Sequence, residues 1–184
     1  EAEPLLRALL KEDPFDVRAI RLFAELAGRI GRYQDAENLL RRAIELAPDF
    51  TPARANLALV LYRTERVAEA LDELARVTAE DPDNVGNANL QAAAFGRIGE
   101  FDEALALYAR VLAEAPNQPK VWMSYGHLLK TVGRLDEGIA AYRRALEIQP
   151  GLGEVWWSLA NLKTVRFSDE DIAAMHAAVA GEGV

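Results

Sequence analysis

Five of the eight prolines in this chain, Pro14, Pro48, Pro82, Pro116 and Pro150, fall at one constant interval of 34 residues. Proline cannot donate a helical hydrogen bond and restricts the residue before it, so each one ends a segment at a fixed place. Ahead of three of them the same text recurs: Gly31-Arg32-Tyr33-Gln34-Asp35-Ala36, Gly99-Glu100-Phe101-Asp102-Glu103-Ala104 and Gly133-Arg134-Leu135-Asp136-Glu137-Gly138. A fixed interval in this range means stacked supersecondary units rather than one closed core.

The interval divides the chain into four full units, 17–50, 51–84, 85–118 and 119–152, with 1–16 ahead of them and 153–184 behind. Each unit reads as a first helix, a short turn and a second helix of similar length. Glycine at Gly31, Gly99 and Gly133 supplies the positive φ that such a turn needs. Glu65 holds that place in the second unit, where the turn is expected to be strained or built differently. Small residues mark the closest approach of paired helices: Ala24, Ala58, Ala92 and Gly126 on the first, Ala36, Ala70, Ala104 and Gly138 on the second. Bulky residues such as Leu40, Leu74, Tyr108 and Tyr142 recur at equivalent places, as a stacked core requires and a cofactor box would not. Arg54 and Gln91 stand where large apolar residues are expected, which makes the middle of the array its softest part.

At the ends, residues 1–16 read as the second helix of an incomplete leading unit, with Ala2, Leu6 and Leu9 on its apolar face. Because the chain opens inside a unit, its natural beginning is expected upstream of Glu1. Behind the last full unit, Trp156, Leu159 and Ala160 continue the register. Ser168 with Asp171 then reads as an N-cap and acidic first turn, starting a last helix through Ile172, Met175 and Val179 that Gly181-Glu182-Gly183 closes.

This interval, with its Gly, aromatic, Ala and Pro landmarks, resembles the tetratricopeptide repeat (TPR). The resemblance implies an all-α fold: a right-handed α-solenoid of stacked helix-turn-helix repeats whose first helices line a concave groove. The run from Trp156 to Ser168 is in addition similar to the last repeat before the catalytic domain of bacterial TPR-containing sulfotransferases. That likeness concerns a parent protein. No glycine-rich strand–loop–helix fingerprint appears in these residues.

Catalysis needs a nucleophile with its base, paired carboxylates in a cleft, or a metal cluster. The two histidines, His127 and His176, are far apart, and neither has a second ligand at metal spacing. Acidic pairs such as Asp102-Glu103 and Asp136-Glu137 recur at helix starts, where the helix dipole accounts for them. The chain has no cysteine, and therefore neither disulfides nor thiolate metal sites. No enzyme activity, metal or cofactor is expected of this chain. Its net charge of -8 argues against nucleic acid and anionic membrane as partners. A cytoplasmic location is the expectation.

Function is left to the groove. The resemblance places on it Arg18, Arg21, Glu25 and Arg29, then Asn56, Leu59, Tyr62 and Arg63, then Asn89, Ala93 and Arg97. Lys120, Met123, Ser124, His127 and Lys130 follow, then Glu154, Trp157, Ser158, Asn161 and Thr164. Seven of these are basic and two acidic, in a chain that is acidic as a whole. That contrast suits an acidic peptide. Arg29, Arg63 and Arg97, however, lie near helix carboxyl ends that attract cations whatever the ligand. Co-chaperone TPR domains clamp a terminal carboxylate with a set of groove residues that this chain lacks: Glu25 follows Arg21, and Leu59 and Ala93 replace polar residues. Asn56, Asn89 and Asn161 are suited instead to holding the backbone of an extended segment, as in the O-linked N-acetylglucosamine transferase array. Peptide capture is the first expectation. A structural module that self-associates through its ends or Trp157 is the alternative, and the oligomeric state is open.

Overall fold

A computed structural model describes residues 2–181. Among them are eleven helices and no strand. The chain divides into two compact units, one up to Ile98 and one from Gly99 on, so the boundary falls between the two helices of the third repeat.

In the first unit, α1 (Ala2–Glu12), α2 (Val17–Arg29), α3 (Tyr33–Leu46), α4 (Thr51–Arg63), α5 (Val67–Glu80) and α6 (Val85–Ile98) follow one another. α2 packs on α3 and α4 on α5 as hairpins; α3 then meets α4, and α5 meets α6. The first helices also lie side by side, α2 against α4 and α4 against α6. Ile20, Ala24, Leu40, Ala43, Leu57 and Leu61 make the shared core. None of these hairpins could bury its apolar stripe alone.

The second unit runs through α7 (Phe101–Glu114), α8 (Pro119–Thr131), α9 (Leu135–Ile148), α10 (Gly153–Asn161) and α11 (Asp169–Ala180). Its tightest joint is α8 on α9, where two glycines face each other. A Cβ built on Gly126 would come within 2.7 Å of the Tyr142 ring, and one on Gly138 within 3.2 Å of the Gly126 carbonyl. The absence of side chains lets the fully buried Tyr142 ring lie between the helices. Tyr142, Val155, Trp156 and Leu159 form the core, with Phe167 edge-on to Trp156.

The turns are alike in both units. Gly31, Gly99 and Gly133 have φ of 79°, 89° and 83°. Glu65 takes the same left-handed conformation at φ 63°. The bond from Arg66 N to Leu61 O repeats those from Arg32 N to Ala27 O and from Arg134 N to Leu129 O. Strain is therefore the outcome at Glu65, at a cost of about 1–2 kcal/mol for a non-glycine residue.

Arg54 is not the weak point its residue type suggested. Its guanidinium reaches Glu73 at 3.0 Å, both side chains being only 16% exposed, and also donates to the Pro48 carbonyl. Trp122 and Trp156 occupy the corresponding places and donate their indole N–H to Pro116 O and Pro150 O, each at 2.8 Å. Arginine thus replaces the tryptophan N–H and adds an ion pair. A second polar joint stands at Glu37, which is 6% exposed, where the later repeats have Leu71, Leu105 and Ile139. Arg66 donates to both of its oxygens at 2.8 Å, and Arg41 to one at 2.8 Å. Burial alone would raise the Glu37 pKa, but hydrogen bonds from Arg66 and Arg41 outweigh it and hold the carboxyl below its ordinary value.

The end helices differ in detail from expectation. On α1, Leu6 is buried and Leu10 packs against the core, whereas Leu9 is 41% exposed; the inward pair is one turn apart at positions 6 and 10. The Ala2 side chain and Glu1 lie outside the described residues. Ser168 does cap α11, in a reciprocal capping box with Asp171. Asp171 also pairs with Arg143 of α9. Ala174 and Met175 pack inward, while Ile172 and Val179 face outward, Val179 at 88% exposure. Gly181 closes the helix at φ 77°; Glu182 and Gly183 lie outside the described residues.

Candidate functional site

In the first unit the residues named for a groove sit on α2, α4 and α6. Arg18 and Arg63 are exposed, and among the described residues neither has a carboxylate within ion-pairing distance. Arg21 and Arg29 both turn to Glu25, at 3.3 and 2.8 Å, so one carboxylate occupies two of the counted cations. Arg97 lies over the Tyr62 ring, 5.0 Å from its centre, and pairs with Glu65 at 3.0 Å. Glu25 already stands among the two acidic residues of the count, so only the Arg97–Glu65 pair lowers the basic surplus, by one charge.

Asn56 and Asn89 are half-buried on the neighbouring helices α4 and α6. Asn56 Nδ2 and Asn89 Oδ1 are sealed from solvent and have no hydrogen-bond partner among the described residues. Asn56 borders two openings. One is a cleft of about 440 Å³ with Ala24, Glu25, Gly28, Arg29, Tyr33, Leu40, Leu59, Val60 and Arg63 in its wall. The other, of about 400 Å³, is lined by Thr51, Pro52, Ala55, Val77, Glu80, Asp81, Asn84 and Asn87. Glu80, Asp81, Asn84 and Asn87 were not singled out in the sequence. The acidic run around Pro82 carried the signal, but it reads first as a helix end.

In the second unit, Lys120, Met123, His127 and Lys130 stand on α8, with Trp157 and Asn161 on α10. Lys120, Trp157 and Asn161 are exposed, Trp157 by 66%. Met123 is half-buried and packs against the Tyr142–Trp156 core, so part of its surface serves the fold. Ser158 is buried and donates to Glu154 O at 2.8 Å, which removes it from any open face.

His127 Nδ1 lies 2.7 Å from the Tyr142 hydroxyl. Burial pushes the Tyr142 pKa up to about 12, so the hydroxyl keeps its proton at pH 7. The His127 pKa is lowered by its own burial and then by Lys130, against an opposing pull from Glu154. The ring is accordingly neutral at pH 7, with Nε2 4.0 Å from a Glu154 oxygen. Among the described residues no three His, Cys, Asp or Glu side chains gather to hold a metal. No helix of the described residues is long and apolar enough to cross a membrane.

Two family models, both described as tetratricopeptide repeat, match residues 30–94 and 89–152. No curated protein matches the chain. Among solved structures it is similar to a thermophilic TPR protein of Thermus thermophilus, at 24% identity and a TM-score of 0.76, over 88% of this chain and 89% of that one. MamA from Desulfovibrio magneticus RS-1 is similar at 16% identity and a TM-score of 0.69, over 78% and 81%. Another MamA crystal structure matches at 22% identity and a TM-score of 0.66, over 78% and 84%. Likeness at these identities speaks to the fold, an all-α solenoid. With two repeat models that together run from residue 30 to 152, the chain belongs to the tetratricopeptide repeat proteins.

Proposed function

We propose that this chain is a protein-interaction scaffold whose first-helix face holds an extended peptide segment. The observation that supports it most is the pair of unpartnered amide atoms, one donor on Asn56 and one acceptor on Asn89, on adjacent helices. A buried polar atom without a partner costs about 1–3 kcal/mol, a cost that bound main chain would relieve. The complement of one donor and one acceptor is a peptide group. The terminal torsion of asparagine is soft, so a modest rotation turns either amide toward a bound strand. Arg18 and Arg63, which meet no carboxylate among the described residues, favour acidic residues in that segment.

The test uses a displayed library of random peptides of about ten residues, with selected binders measured by fluorescence anisotropy. Asn56→Ala with Asn89→Ala is expected to raise Kd about tenfold or more while leaving thermal stability unchanged or slightly higher. Equal affinity of the double variant and the parent chain would remove this reading.

The exposed Trp157, Ile172 and Val179 favour a second reading, self-association through the second unit. A sedimentation coefficient that stays monomeric across micromolar concentrations would dispose of it. The parent assignment rests on the run from Trp156 to Ser168: the chain is proposed as the substrate-presenting part of a bacterial sulfotransferase-like protein. The parent reading frame beyond Val184 tests it, with a phosphate-binding loop expected and a stop codon counting against it.

A further inference from the structure

The two openings that meet at Asn56 carry opposite charge. The cleft borders Asn56, Leu59, Val60 and Arg63, the carboxyl-terminal half of α4. Arg29 and Arg63 stand at it with Glu25, which already pairs with Arg21 and Arg29. Arg63 is therefore the cation left for a ligand. The other opening borders Thr51, Pro52, Ala55 and Asn56, the amino-terminal half of the same helix. Glu80 and Asp81 line it, and no lysine or arginine does. Thr51 donates to Glu80 and Asn84 to Asp81, which fixes both carboxylates in place without cancelling their charge. Helix ends bear only about half a charge each, so the two full charges of Glu80 and Asp81 dominate that opening.

We propose that α4 presents a bipolar site, which takes a segment bearing an acidic and a basic side chain about five residues apart. The acidic side chain enters the cleft beside Arg63, its methylenes against the exposed Leu59. The basic side chain lies in the opening of Glu80 and Asp81, its stem along the exposed Pro52. The main chain crosses at Asn56. The spacing follows from the helix: Pro52 and Arg63 are separated by eleven steps of α4, about 16 Å. An extended chain rises about 3.3 Å per residue and covers that in about five. This inference rests on the peptide reading above and narrows it from an acidic segment to one of mixed charge with a set spacing.

The experiment titrates the full chain with fluorescent peptides in a neutral Ser/Ala background. They carry Lys and Glu about five residues apart in both chain orders, the same pair about two apart, two Glu, two Lys, or neutral Gln. The five-residue mixed peptide, in one order at least, is expected to bind about three- to tenfold more tightly than the di-acidic or neutral ones, as two partly exposed ion pairs allow. That advantage should vanish at the short spacing, and Arg63→Gln with Glu80→Gln and Asp81→Asn should remove it while circular dichroism stays unchanged. Neutral or di-acidic peptides binding as well as the mixed one would overturn the bipolar site and leave the peptide reading standing. Failure of every peptide, neutral included, would overturn both.

Discussion

Replacing Gly126 with alanine should destabilise the second unit, although alanine is by far the better helix former. A Cβ there would sit 2.7 and 2.8 Å from Cε1 and Cδ1 of Tyr142, and 3.2 Å from the Gly138 carbonyl. Carbon atoms in contact settle at about 3.5–4.0 Å, so the ring or the helix must retreat by about 1 Å. Neither can do so freely. Tyr142 is fully buried, its hydroxyl is bonded to His127, and the other side of the new methyl meets backbone. Overpacking of this kind costs about 1–3 kcal/mol. The intrinsic gain of alanine over glycine offsets about 1 kcal/mol of that. With contacts this short the upper part of the range applies, which leaves a net loss of about 1–2 kcal/mol. For a chain of this length the midpoint should fall by about 2–8 °C, read by far-UV circular dichroism. The control is Tyr142→Leu, because the first two repeats join Ala24 to Leu40 and Ala58 to Leu74 at the corresponding places. In that background the alanine should be neutral or stabilising. A Gly126→Ala protein as stable as the parent, or an equal loss in both backgrounds, would refute the close-approach argument.

Two more outcomes concern the first unit. Glu65→Gly relieves the positive φ of that turn and should stabilise by about 1 kcal/mol, since the exposed pair with Arg97 that it removes contributes less; a lower urea midpoint would contradict it. Glu37→Gln should cost about 1–3 kcal/mol at pH 7, because two arginines lose a charged acceptor. The Glu37 pKa is depressed in the folded chain, so its contribution is fully present above the unfolded value of about 4.3 and is lost as pH falls through the folded one. The gap between parent and variant in urea denaturation should therefore narrow from pH 7 to pH 3, and a constant gap would contradict the assignment.

What could be read from the sequence was what the backbone enforces locally. Proline and glycine constrain φ at fixed places, and α2, α4, α6, α8 and α10 begin at Val17, Thr51, Val85, Pro119 and Gly153. Residue type without partner was a poorer guide. Arg54 looked like a charge misplaced in the core because nothing in the chain order announces that Glu73 and the Pro48 carbonyl will meet it. The double use of Glu25 was legible, since Arg21, Glu25 and Arg29 stand four apart on one helix, yet a count of charges passes over it. Leu9 and Leu10 are both apolar neighbours, and only packing decides which faces in. The carboxylates of Glu80 and Asp81 reach the first-helix face from the end of a second helix, a proximity that repeat registry alone does not contain.

The latch from a side-chain N–H to the proline carbonyl has a mechanical consequence. Arg54, Trp122 and Trp156 each tie the loop behind them to the helix that follows, but the corresponding Ile20 and Ala88 have nothing to donate to Pro14 and Pro82. A row of stacked hairpins comes apart first where its stitching is thinnest. Between the full repeats that seam is the loop between α5 and α6, the same loop whose carboxylates rim the opening beside Asn56. Whatever settles there would be sewing shut the place most ready to open.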